Sequence, residues 1–170
     1  MWHHEPHRTR TGTRPAIRHV TAFGTTCSPV GVERALVNHH TIIQPPGMAP
    51  AVGYSHGVLA APGRALYIAG QIAWDGNERI VGTTWAEQFD FALANLVSVL
   101  TAGGGQPEHI TWMQIFTVDV AAYRAARADL APIYRRHLGR HYPAMSLFGI
   151  AELVDAGALM EITALAVIPE

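Results

Sequence analysis

The chain has 170 residues, 49% of them hydrophobic and 15% charged, which suits one globular domain and argues against wholesale disorder. All twelve basic residues are Arg, which excludes a Schiff-base lysine, a pyridoxal-phosphate lysine and a P-loop lysine. Residues 1–50 hold five Arg against Glu5 and Glu33, a net +3, while residues 51–170 hold seven Arg against eleven acids, a net −4; that mildly acidic body argues against a nucleic-acid surface.

The first stretch, "HHEPHRTRTGTRP", is polar, proline-interrupted and aperiodic. Residues 1–43 read as a disordered N-terminal extension or an upstream extension of the reading frame, and 44–170 as the folded domain. The lone Cys27 forms no intrachain disulfide and fits a cytoplasmic location. No run is apolar enough for a membrane span, and the start lacks the apolar stretch of a secretory signal. His3-His4 and His39-His40 hint at metal, but adjacent residues of an extended chain point apart and no Cys or acid completes a ligand set. "QPPGMAP" (44–50) is a turn-rich lead-in.

From Gly53 the punctuation becomes regular. "YSHGVLA" and "RALYIAGQIAW" are two β-type runs joined by "APGR", whose Pro-Gly suits a type II turn, so a hairpin is expected. "WDGNER" is a second turn, with a short third strand near "RIVG". In "TTWAEQFDFALANLVSVLTAGGG", Thr84 and Glu87 form a capping-box pattern. Trp85, Phe89, Leu93, Leu96 and Leu100 make one apolar helix face, which Gly103 ends. "GGG" (103–105) follows this helix, whereas a phosphate loop should precede one.

"ITWMQIFTVDV" (110–120) reads as a strand. Asp119 then caps a second helix, with Tyr123, Ala126, Leu130, Ile133 and Leu138 on its buried side. Pro132 should kink or restart that helix, and Arg135-Arg136 complement its C-terminal dipole. "AMSLFGIAEL" and "ALMEITALAVI" are the last strands. Ile110, Trp112, Phe116 and Val118 should face one way, Met113 and Ile115 the other, so the central strand is apolar on both faces. Two helices cover one face; a second copy of the chain is the simplest cover for the other, and a homo-oligomer is predicted.

The stretches "QPPGMAPAVGYSHGV", "LYIAGQI", "QFDFALANLVSVLTAGG", "ITWMQIFTVDVAAYRA" and "YPAMSLFGIAELVDAGALMEITALAVI" together resemble the Rid (YjgF/YER057c/UK114) family, in the family's own order over roughly residues 44–168. The "P-A-x-S … EI-x-A-x-A" ending is the most specific part. The resemblance implies an α+β, chorismate-mutase-like single domain with a mixed sheet against two helices, assembled as a homotrimer with clefts between subunits. It implies hydrolysis of reactive 2-imino or enamine acids to 2-oxo acids and ammonia, with no cofactor and no metal.

The same resemblance assigns site residues. Tyr54 matches the pocket tyrosine; Gly70 and Gln71 match "SGQ", with Ala69 in place of its serine. Met145 stands where deaminating members carry the arginine that clamps the substrate carboxylate, and a thioether cannot make that charge-assisted pair. Leu147 replaces a frequent cysteine and Gly149 an occasional glutamate. Glu161 matches the glutamate that positions or activates water.

Glu161 also stands out without the family, since a carboxylate within the apolar "LMEITALAV" costs free energy unless it is paired or functional. An ion pair to an arginine across the trimer would account for it equally well. Tyr54 is a ligand donor or a strand-edge aromatic, and His56 an acid/base or a structural ring. Trp85 and Trp112 read as core, and Ser146 lacks the base of a serine nucleophile. Arg127 on the second helix and Arg64 in a turn are candidates for a replacement cation. The expected activity is hydrolysis of a small imine, enamine or related metabolite that is neutral or bulkier than a free 2-imino acid. The alternatives are a non-catalytic ligand-binding or regulatory trimer and, more remotely, RNA cleavage.

Overall fold

The computed structural model describes residues 40–170; residues 1–39 of the predicted extension, with Cys27, His3-His4 and His39, lie outside them. The elements run β1 (Thr41–Ile43), β2 (Gly57–Leu59), β3 (Arg64–Gln71), α1 (Trp85–Ala102), a 3-10 turn (Pro107–His109), β4 (Ile110–Thr117), α2 (Val120–Leu138), β5 (Ala144–Gly149) and β6 (Met160–Ile168). A four-stranded mixed sheet has the order β3-β6-β4-β5, with β4 and β5 parallel and the other pairs antiparallel. This is the predicted α+β class. No helix among the described residues is long and apolar enough to cross a membrane.

The expected β2–β3 hairpin does not form. β2 pairs with β1, and Ser55 just before it bridges Ala144 at the start of β5. The Pro62-Gly63 link instead runs hard against the end of β6: a Cβ on Gly63 would meet the Ile168 carbonyl oxygen at 2.5 Å. β3 is thereby delivered onto β6 rather than back onto β2. Pairing of Thr41–Ile43 also carries the folded region upstream of residue 44. The strand expected near "RIVG" shrinks to one bridge, Trp74 to Ile80. The turn between them is held by Asp75, whose carboxylate accepts from the backbone N–H groups of Arg79 and Asn77 and from the Arg79 guanidinium. These bonds lower its pKa to about 2.

α1 starts as predicted. Thr84 accepts from the Glu87 N–H while the Glu87 carboxylate takes the Thr84 N–H, closing the capping box. Trp85, Phe89, Leu93, Leu96 and Leu100 are all buried against the sheet. Gly103 ends the helix in a right-handed conformation; Gly104, at φ +82°, is the glycine of the triplet that needs the left-handed region. α2 is capped by Asp119, whose Oδ1 accepts from the Ala122 N–H at 2.8 Å. It runs unbroken past Pro132, so the expected restart does not occur. Tyr134 and Leu138 are its buried residues, with Tyr123, Ala126, Leu130 and Ile133 packed at the core's margin. Arg135 Nε donates to the Ala131 carbonyl at 3.1 Å. Arg136 and His137 tie α2 to α1 through Asp90, at 2.8 and 2.5 Å. Partial burial works to raise the Asp90 carboxyl, but these two donors outweigh it and hold it below its usual range.

β6 alternates strictly: Met160, Ile162, Ala164, Ala166 and Ile168 enter the core, and Glu161, Thr163, Leu165 and Val167 face away. β4 corrects the predicted alternation. Its register shifts between Ile110 and Trp112, which puts Ile110 in the core with Met113 and Ile115. Trp112, expected in the core, stands 37% exposed on the far face. Tyr67, Trp112, Phe148 and Leu165 leave that face apolar, and no described residue covers it.

His109 and His141 sit beside this core and give it a pH dependence. Burial pushes both imidazoles below their ordinary value, although a 2.6 Å bond from His141 Nε2 to the Ile110 carbonyl partly offsets this for His141. The unfolded chain takes up these protons near pH 6.5, so stability is full above about that pH and falls on acidification toward each ring's folded value. The urea midpoint should therefore drop between pH 7.5 and 5.5; an unchanged midpoint would remove both histidines as contributors.

Candidate active site

The eight sequence-predicted site residues fall into two groups on opposite faces of the sheet. Met145 and Leu147 lie on the helix-covered face of β5, opposite Met113 and Ile115 of β4. They line a cleft of about 430 Å³ between β5 and α2, to which Tyr54 and Arg127 also contribute. That size suits a small metabolite. Its walls add Trp85, Phe89, Tyr123, Tyr134 and Tyr142.

Tyr54 reaches the cleft because its neighbour is anchored. The Ser55 N–H donates to the Pro143 carbonyl at 2.9 Å, and the Ser55 hydroxyl to the Tyr142 carbonyl at 2.5 Å. The Tyr134 hydroxyl donates to the His141 carbonyl at 2.8 Å, and its ring stacks on Tyr142 with centroids 5.0 Å apart. Burial raises the Tyr134 hydroxyl pKa and keeps it a neutral donor. Trp85 meets both Phe89 and Tyr123 in tilted ring contacts, with centroids 5.2 Å apart in each pair. His56 lies outside this wall: its Nε2 donates to the Ala49 carbonyl at 2.9 Å and its ring meets Tyr54 edge-on. Arg64 does not line the cleft either.

The second group sits on the open face. Between the pairs Ile68–Ala164 and Gln71–Ile162 the β3 register slips, so Ala69 and Gly70 together oppose Thr163 in a bulge. The Gln71 amide folds back to donate to the Ala69 carbonyl at 3.1 Å. Glu161 lays its carboxylate across Gly70, where a Cβ would overlap Glu161 Oε1 outright. Glu161 is half-buried, pairs in register with Phe116, and has no ion-pair or hydrogen-bond partner among the described residues. Phe116 in turn stacks on Phe148 at 5.9 Å. A backbone bulge, a carboxylate without a partner and an aromatic floor thus meet on a face that no described residue covers.

Gly70→Ala tests this juxtaposition. The clash falls on the flexible end of Glu161, so stability should change by no more than about 1 kcal/mol. The carboxylate must nevertheless swing away, and any activity that depends on it should fall with it. Activity retained at wild-type level would show that the carboxylate does not need this seat.

Sequence reasoning missed most of the aromatic wall. The signal was present as Tyr123, Arg127, Leu130 and Tyr134, which recur on one flank of α2 at helical spacing. Tyr123 and Leu130 belong to the predicted buried side and Tyr134 is buried, so only the position of β5 turns this side of α2 into a cleft wall that includes Arg127.

Comparison with known proteins agrees with this architecture. The Rid protein YyfB of Yersinia pestis, a protein of unknown function, superposes with a TM-score of 0.69 at 34% identity, over 76% of this chain and 98% of that one. The related YyfA of the same organism superposes at 0.53 and 26% identity, over 76% and 99%. Protein HMF1 of Saccharomyces cerevisiae is 25% identical over 118 residues, 69% of this chain and 86% of its own. The sequence profile of the Endoribonuclease L-PSP family matches residues 45–168. With the sheet order, the bulge at Gly70 and the two-helix cover in place, the chain belongs to the Endoribonuclease L-PSP family, known also as the Rid or YjgF/YER057c/UK114 family.

Proposed function

We propose that the chain is a Rid-type hydrolase acting on a small reactive imine, enamine or related metabolite. The observation that carries this reading is the unpaired Glu161 carboxylate held across the Gly70 backbone. In the proposed reaction water adds through its oxygen to the C=N carbon of the imine, or of the imine tautomer of an enamine, while Glu161 takes a proton from the water; the nitrogen of the resulting carbinolamine receives that proton back from Glu161 and the hydroxyl proton as the carbonyl forms. The carbon–nitrogen bond then breaks, ammonia leaves and a carbonyl compound remains. The bulge backbone at Ala69 and Gly70, with Gln71 beside it, binds the reacting end.

Within one chain Glu161 and the Met145 cleft are separated by the sheet, so the reading requires a second copy. The exposed Tyr67, Trp112 and Phe148 supply an apolar face for it. In a homotrimer, the open face of one subunit would lie over the β5 edge of the next and bring Glu161 to the mouth of the neighbour's cleft. Met145 and Leu147 then form an apolar wall where deaminating relatives hold a carboxylate, so free 2-imino acids are poor substrates and bulkier ones are favoured. No cofactor or metal enters this chemistry, and a cytoplasmic site fits the lone Cys27.

The separation of the two groups also favours a second reading, a ligand-binding or regulatory trimer without catalysis. RNA cleavage is disfavoured by a body of net −4 without lysine. The test is ammonia release from freshly generated 2-iminobutanoate and from a bulky imine. Turnover of the bulky imine at least tenfold above 2-iminobutanoate is expected. No turnover of either supports the binding-only reading, and 2-iminobutanoate activity within tenfold of an arginine-bearing relative would overturn the role given to Met145.

A further inference from the structure

Among the described residues, Arg127 is the one charged side chain lining the cleft between α2 and β5. It has no ion-pair or hydrogen-bond partner among the described residues. The nearby arginine Arg136 is committed to Asp90, and Arg135 to the Ala131 carbonyl. The rest of the wall is aromatic or aliphatic. Trp85 and Tyr134 have already spent their polar atoms on Thr117 and the His141 carbonyl, so what they can offer a ligand is ring surface.

A guanidinium beside an aromatic wall has a specific complement. An anionic group gains a charge-assisted, two-pronged bond to arginine. A flat apolar body gains from offset or edge contacts with the rings. A small anion fills only the first role, and a neutral hydrocarbon only the second. We infer that Arg127 is the anion anchor of this cleft, and that its ligand joins one anionic group to an aromatic or bulky apolar body. This rests on the reading of the cleft as the substrate pocket and names its substrate class. The positive charge absent from β5 at Met145 is supplied from α2 instead, so the ligand's anionic group lies on the α2 side and its apolar body against Met145 and Leu147.

Calorimetric titration of the full chain with 3-phenylpropanoate, its neutral amide 3-phenylpropanamide, and propanoate tests this. 3-Phenylpropanoate should bind at least tenfold more tightly than either of the others. Arg127→Met, an exposed position on a long helix, should weaken 3-phenylpropanoate about tenfold and leave the amide within threefold. Arg127→Lys should restore part of the loss, since the charge returns without the fork. Equal binding of acid and amide by the native chain, an Arg127→Met variant within threefold for the acid, or no binding of the acid would each overturn the inference. Imine hydrolysis measured alongside keeps the two readings apart. Arg127-dependent binding without turnover defeats catalysis and leaves the anchor standing; turnover unaffected by Arg127→Met does the reverse.

Discussion

Glu161→Gln should lower imine hydrolysis by about 10²- to 10³-fold while shifting stability by less than about 1 kcal/mol. The substitution keeps the side chain's length and shape and removes only its ability to take a proton. Nothing in the fold depends on the charge, since no described residue is bonded to the carboxylate. A half-buried carboxylate without a partner is costly to keep, and its seat over Gly70 is specific. The measurement is initial-rate ammonia release from the imine that the native chain turns over best, with a urea melt as control. An unchanged rate would remove Glu161 from the mechanism. A fall in rate accompanied by a large loss of stability would point to a structural ion pair between subunits instead. Gly70→Ala should reproduce part of the Gln phenotype, because it displaces the same carboxylate without altering its chemistry.

Thr117→Val should destabilise the fold by about 3 kcal/mol, a large change for an almost isosteric exchange. The Thr117 hydroxyl is fully buried and uses its whole hydrogen-bonding capacity. It donates to the Leu159 carbonyl at 2.9 Å and accepts from the Trp85 indole N–H at 2.9 Å and the Asp119 N–H at 3.1 Å. Valine fills the space but leaves three polar groups without that partner. The indole belongs to the cleft wall, and Asp119 caps α2, so one hydroxyl joins α1, α2 and the start of β6. Chemical denaturation with a matched Thr111→Val control measures the effect. The Thr111 hydroxyl makes one bond of the same kind, donating to the Leu165 carbonyl at 3.1 Å, and its loss should cost less. Equal small losses at both positions would show that solvent or backbone adjustment satisfies the stranded groups at Thr117.

Local signals in the chain were sufficient for the helices. The Thr84–Glu87 box, the Trp85-to-Leu100 stripe and the Asp119 cap are read within a few residues, and the structure has each of them. β6 was legible only as an apolar strand interrupted by Glu161; with Leu165 and Val167 apolar on the outward side, its alternate burial came from the structure. Strand partners were not legible. Pro62-Gly63 suits a hairpin turn locally, yet contact with the end of β6 directs β3 elsewhere. Ile110 changed faces because a bulge shifts the period by one residue, and a bulge is set by the partner strand.

The sequence by itself determined the fold class, both helices and the family, because motif order and side-chain chemistry are properties of the chain. Tertiary structure alone decided which candidates meet. It put Glu161 with Gly70 on the open face, and Tyr54 and Arg127 with Met145 and Leu147 on the other. The physical reason is that a sheet has two faces: strand parity assigns each side chain to one of them, and only pairing, bulges and crossovers determine what lies beside it there.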